Sequence, residues 1–182
     1  HVKVEPDRWY YWCDKQGLLV WQDMPSSTDI LMEPGRGELP RDSKIAANFE
    51  HELQRMIDTH YNSPSIIMWV LFNEGWGQYD TIRLTQWLKA YDPTRIINSA
   101  SGWNDFRSGD VQDIHRYPAP ESPQSDYKRA NVLGEFGGLG LPIEGHTWLN
   151  KDSWGYMQYT DVPALLDAYS RFIKRLVYQK NE

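Results

Sequence analysis

Two glutamates stand just after apolar runs in the middle of a 182-residue chain. Glu74 closes Ser65-Ile66-Ile67-Met68-Trp69-Val70-Leu71-Phe72-Asn73-Glu74, and Glu135 follows Asn131-Val132-Leu133-Gly134. A carboxyl group at the end of a core strand is costly to keep there, so its position points to chemistry. A pair of such groups is the equipment for splitting a glycosidic bond, one as acid/base and one as nucleophile. The blander readings are a solvated loop-start glutamate at Glu74 and a turn or helix-start carboxylate at Glu135.

Several neighbours suit the same chemistry. The amide of Asn73 can hold a substrate hydroxyl while the carboxyl beside it handles the leaving oxygen. Gly75 and Gly77 let the backbone approach a ligand, and Gly134, Gly137 and Gly138 leave the second carboxylate uncrowded. Tyr117, just before Pro118, can donate its hydroxyl to such a carboxylate and orient it; alone, a tyrosine there is more often packing. Asp23, His1 and His115 are further polar residues at strand ends. A metal site from His115, Asp113 and Asp23 is conceivable, but no tight ligand spacing supports it. His51 and His60 fall on a helix and read as surface. No nucleophile elbow, phosphate loop or dinucleotide fingerprint occurs.

The chain carries nine tryptophans. Flat aromatic rings fit the apolar faces of sugars, and they also fill large cores. Trp12 and Trp69 read as core. Trp76, Trp103 and Trp148 follow apolar runs in loops and read equally as pocket lining. Net charge of −6 and a pI near 5.4 leave no basic stripe for nucleic acid. No apolar stretch is long enough to span a membrane. Cys13, the single cysteine, allows no internal disulfide and reads as a quiet buried thiol. The chain opens in mid-pattern at His1-Val2-Lys3-Val4, which fits a secreted or periplasmic parent with its signal upstream.

The elements that must position these residues alternate strand and helix. Apolar strands are expected at 17–23, 65–72, 95–99 and 131–134, with a weaker one at 111–115. Helices are expected at about 7–16, between Pro6 and Gly17, and at about 42–60 on the stripe Ile45, Phe49, Leu53, Met56 and Ile57. Two more fall at about 79–91 and from Pro163 towards Gln179, the last capped by Asp161 with Leu165, Leu166, Tyr169, Phe172, Ile173 and Leu176 inward. The long Gly- and Pro-rich stretches, about 24–41, 101–109, 116–126 and 137–160, follow strands, where α/β folds build their sites. The class is α/β, doubly wound or barrel.

Three stretches resemble glycoside hydrolase family 2, the β-galactosidase, β-glucuronidase and β-mannosidase family. They are Asp14-Lys15-Gln16-Gly17-Leu18-Leu19-Val20-Trp21-Gln22-Asp23-Met24-Pro25, Pro64 to Glu74, and Leu133-Gly134-Glu135-Phe136-Gly137, in the family's order. The resemblance implies a (β/α)8 TIM barrel, with 1–182 being part of one catalytic barrel domain, about strands three to seven. It implies that Glu74 is the acid/base, Glu135 the nucleophile and Tyr117 the tyrosine bonded to it. Asp23 and Asn73 match sugar-contacting positions, His1 a second-strand histidine, and Trp103 a looser position after the fifth strand. His115 lies in the same site. Ser63 stands where the family's His-Pro-Ser has histidine. Glu74-Gly75-Trp76-Gly77-Gln78 differs from the β-galactosidase and β-glucuronidase pattern, so the sugar is left open.

The expectation is a retaining β-glycosidase acting on a carbohydrate, with no cofactor and no metal. The rivals are a non-catalytic sugar-binding or interaction module, which has no need of two strand-end glutamates, and a metal-dependent hydrolase. An incomplete barrel has open sheet edges, so the chain alone is expected to be weakly active or inactive and to self-associate.

Overall fold

The computed structural model describes residues 1–26, 37–38, 40–148 and 154–180. Parts of the expected loops 24–41 and 137–160 therefore lie outside the described residues. The chain divides into two compact units. The first is His1–Asp113 with Ser125–Ala130, and the second is Ile114–Gln124 with Asn131–Glu182.

The first unit alternates helix and strand: α1 (Asp7–Gln16), β1 (Val20–Asp23), α2 (Ser43–His60), β2 (Ile66–Val70), α3 (Thr81–Tyr91) and β3 (Ile96–Asn98). α1 stops where expected. Gly17 takes the left-handed conformation, φ 70°, and its N–H and that of Leu18 turn back to the carbonyls of Asp14 and Cys13. α2 starts one residue after Asp42, whose carboxylate accepts from the N–H groups of Lys44 (2.9 Å) and Ile45 (3.3 Å). The three strands form one parallel sheet in the order β1-β2-β3. Asp23 pairs with Val70, and Val70 with Asn98, so the site-bearing strand ends lie level.

The core sits between β2 and the helices. Trp69, Leu71, Phe72, Leu53, Ile57, Leu84 and Leu88 are fully buried. Phe49 stacks on Phe72 at 5.4 Å, and Tyr79 meets both rings edge-on. β2 is long and apolar because it is covered on both faces. β1 is not: Trp21 is exposed on one side of it. Cys13 is buried as expected, and burial pushes its thiol up.

Two expectations need correcting here. Trp12 is half exposed rather than core, with the Lys15 ammonium over its ring. Period-3.6 geometry puts Tyr10 and Cys13 on the buried face of α1 and turns Trp12 outward. His60 is buried, not surface. It lies against the Tyr10 ring at 4.1 Å, and burial lowers its pKa.

The second unit contains β4 (Val111–Arg116) and β5 (Ala130–Phe136), which both begin in the first unit, with β6 (Leu139–Gly140), β7 (Met157–Gln158) and α4 (Val162–Lys180). β4 pairs with β5, and β6 runs parallel to β7. The Asp161 carboxylate accepts from the Ala164 N–H at 2.9 Å, the expected cap of α4. Of the residues expected inward on α4, Leu165, Phe172 and Leu176 are partly buried. Leu166, Tyr169 and Ile173 are exposed, and Ala168 is the buried member. A cavity of about 510 Å³ runs between Phe136–Leu139 and the Leu165–Phe172 stretch of α4.

Candidate active site

In the first unit, Glu74 ends a ladder that continues past the regular strands. The Ser101 N–H donates to the Phe72 carbonyl (2.8 Å), and the Glu74 N–H donates to the Ser101 carbonyl (2.9 Å). Asn73 and Ser101 form a parallel bridge. Glu74 itself has φ of 51°, the left-handed region that a residue with a Cβ rarely takes. Its carbonyl accepts from the Trp103 indole Nε1 at 2.8 Å. Both backbone polar groups of the glutamate are thus held by the loop after β3.

That loop is itself anchored. Asp113, on β4, accepts on Oδ2 from Asn98 Nδ2 and Ser101 Oγ, each at 2.7 Å, and is buried. The sequence gives no sign of this role, because Asp113 reads there only as a weak strand residue or metal candidate. Asn73 is buried, and among the described residues its Nδ2 has no hydrogen-bond partner. A buried amide donor left unsatisfied is expensive, and a ligand oxygen would satisfy it. Gly75 (φ 70°) and Gly77 (φ 60°) carry the turn that follows, with the Trp76 N–H returning to the Asn73 carbonyl at 2.9 Å. Trp76 and Trp103 are partly buried in these loops, whereas Trp148 is fully exposed.

Asp23 ends β1. Its Oδ2 accepts from the Val2 N–H at 2.7 Å and lies 4.0 Å from His1 Nδ1. Behind it, Gln22 is buried and donates to the carbonyls of Lys3 and Asp23, both at 2.8 Å. The N-terminal stretch and the end of β1 are therefore one hydrogen-bonded assembly, which brings His1 beside Asp23.

The second unit brings together Glu135, Tyr117 and His115. The Tyr117 hydroxyl donates to Glu135 Oε2. His115 Nδ1 lies 3.5 Å from the same oxygen, and its side chain is fully enclosed. Glu135 remains partly open, so a carboxylate edge is available to solvent or substrate. Just beyond it, the Gly137 N–H donates to the Pro118 carbonyl at 2.9 Å, tying the end of β5 to the segment after Tyr117. The Tyr117–Pro118 peptide is cis.

Residues 5–126 match the family model described as glycosyl hydrolases family 2, TIM barrel domain. The chain belongs to this family. The match spans Asp23, Asn73, Glu74, Trp103, His115 and Tyr117. Similar proteins include the β-galactosidases of Leuconostoc mesenteroides subsp. mesenteroides and Klebsiella pneumoniae, each 32% identical over 104 residues. That of Pectobacterium atrosepticum is 31% identical over 103 residues. Each alignment covers 57% of this chain and 10% of the relative, so the family 2 chain spans about a tenth of the length of these curated relatives. Among the described residues, no helix is long and apolar enough to cross a membrane.

Proposed function

We propose that this chain is the central part, about strands three to seven, of a single (β/α)8 catalytic barrel domain of a retaining β-glycosidase. Glu135 attacks the anomeric carbon while Glu74 protonates the leaving oxygen. Water, deprotonated by Glu74, then breaks the glycosyl–Glu135 ester and frees the sugar with its configuration retained. Tyr117 and His115 orient the nucleophile. Asn73, Asp23, His1 and Trp103 line the sugar site. Terminal β-galactosides are the first substrates to try, since the relatives named above are β-galactosidases.

The observation that carries this reading is the hydrogen bond from Tyr117 to Glu135 at the end of β5. A carboxylate that is held at one oxygen, and partly open, is prepared to act as a nucleophile. The unsatisfied Asn73 amide beside Glu74 supports the sugar-binding side of the same reading. The test is made in the full-length parent with aryl β-glycosides. Glu135→Ala should abolish turnover and regain it with azide as an external nucleophile. Glu74→Ala should chiefly slow substrates with poor leaving groups. Loss of both residues without effect on turnover would leave a sugar-binding module as the better account.

A further inference from the structure

The nucleophile's tyrosine has a support of its own. Resting on the reading of Glu135 as nucleophile, we infer that Tyr156 is a positioning residue for the reaction: it holds the Tyr117 ring, and through it the Glu135 carboxylate, in attacking geometry. Tyr156 stacks on Tyr117 with ring centroids 4.4 Å apart and planes 25° from parallel. A phenol bonded to a carboxylate can still swing about its side-chain torsions, and a ring laid against its face removes that freedom.

The backbone immediately after Glu135 builds the seat for Tyr156. Gly138 has φ of 67°, and a Cβ placed there would lie 2.5 Å from Tyr156 Cδ2. Only glycine lets the ring sit this close. The Met157 N–H donates to the Gly138 carbonyl at 3.2 Å, and Leu139 pairs with Met157, which fixes the main chain next to Tyr156. Trp154 meets the Tyr156 ring edge-on, with centroids 5.4 Å apart. The segment Glu135-Phe136-Gly137-Gly138 therefore sets the nucleophile and also the ring that steadies the nucleophile's partner.

The contact works through ring shape and not through the Tyr156 hydroxyl. In the full-length enzyme, Tyr156→Ala should lower kcat about 10- to 100-fold, with KM changed far less, because reacting groups are misplaced after the sugar has bound. Tyr156→Phe should restore most of that loss. Gly138→Ala should reproduce the Tyr156→Ala defect by displacing the ring. The decisive comparison is a double-mutant cycle with Tyr117→Phe. If Tyr156 acts through Tyr117, adding Tyr156→Ala to Tyr117→Phe costs little more. Fully additive losses, or a loss that Phe does not restore, would overturn the inference. Azide rescue of Glu135→Ala separates the two claims: rescue with additive losses sinks the role of Tyr156 alone, and absence of rescue sinks the nucleophile as well.

Discussion

The indole Nε1 of Trp103 donates to the backbone carbonyl of Glu74 at 2.8 Å, across the gap between the ends of β3 and β2. With the Glu74 N–H given to Ser101, the main chain of this glutamate is gripped from one side by a single loop. A tryptophan that looked like a sugar platform thus holds the peptide unit of the proposed acid.

Trp103→Phe keeps most of the ring but removes the donor. In the parent enzyme we expect a drop in kcat of about tenfold, because the carboxyl loses its fixed placement. We expect a stability loss of about 1 kcal/mol for the missing hydrogen bond. An unchanged kcat with poor leaving groups would show that Glu74 is held well enough without it.

Asp92 predicts a pH dependence. It is fully buried at the end of α3 and accepts hydrogen bonds from Trp69 Nε1 (2.8 Å), Arg95 (2.8 Å) and Thr94. Burial pushes its carboxyl up, but the bonds from Thr94, Trp69 and Arg95 outweigh burial and hold it down at about 2. The folded value lies below the unfolded one, near 3.8, so the unfolded chain binds the proton first. The stabilisation is therefore full above pH 4 and fades as pH falls from about 4 to about 2. It amounts to about 2 kcal/mol. Denaturant unfolding should lose this much between pH 5 and pH 2, less in Asp92→Asn by that amount; equal slopes in the two proteins would refute it.

Gly109 should not tolerate alanine. Its φ is 82°, and a Cβ would lie 2.7 Å from the Ile97 carbonyl in β3. Gly109→Ala should cost about 2 to 3 kcal/mol, read as a lower denaturation midpoint with the slope unchanged. A cost under about 0.5 kcal/mol would mean that this turn relaxes freely.

On the proposed reading, the 182-residue chain alone should turn over aryl β-glycosides poorly. In the three-stranded sheet, β1 is an outer strand, and outer strands offer unpaired backbone groups to another chain. Light scattering should show species heavier than a monomer. A monomer with turnover near that of the parent would contradict both expectations.

The strongly patterned parts were legible in the sequence. α1, α2, α3 and α4 lie within two residues of their expected limits, because Gly17 and Asp161 mark ends chemically and Phe49, Leu53, Met56 and Ile57 mark a face. The parallel pairing of β1 with β2 followed from their continuous apolar runs. β6 and β7 were not legible: two residues each, one of them glycine, give no period to detect. Trp12 and His60 were misread because hydrophobicity and charge say less about burial than the angle around a helix does. The Asn73-Glu74 pair stood out in the sequence, whereas Asp113 did not. An anchor contributed by a distant strand leaves no local pattern. The same holds for Tyr156, which gains meaning only once Gly138 admits it beside Tyr117.

On the proposed reading, the left-handed backbone of Glu74 sets catalysis against durability. At φ 51° a side chain costs on the order of 1 kcal/mol or more that glycine would not incur and asparagine would incur less. If chemistry ceased to matter, mutation would drift this position towards glycine or asparagine and toughen the fold on the way. On that reading, turnover is the reason a glutamate is kept there. The Glu74→Gly or Glu74→Asn protein, on the same reading slowed most on substrates with poor leaving groups, should therefore also be the hardier one to handle.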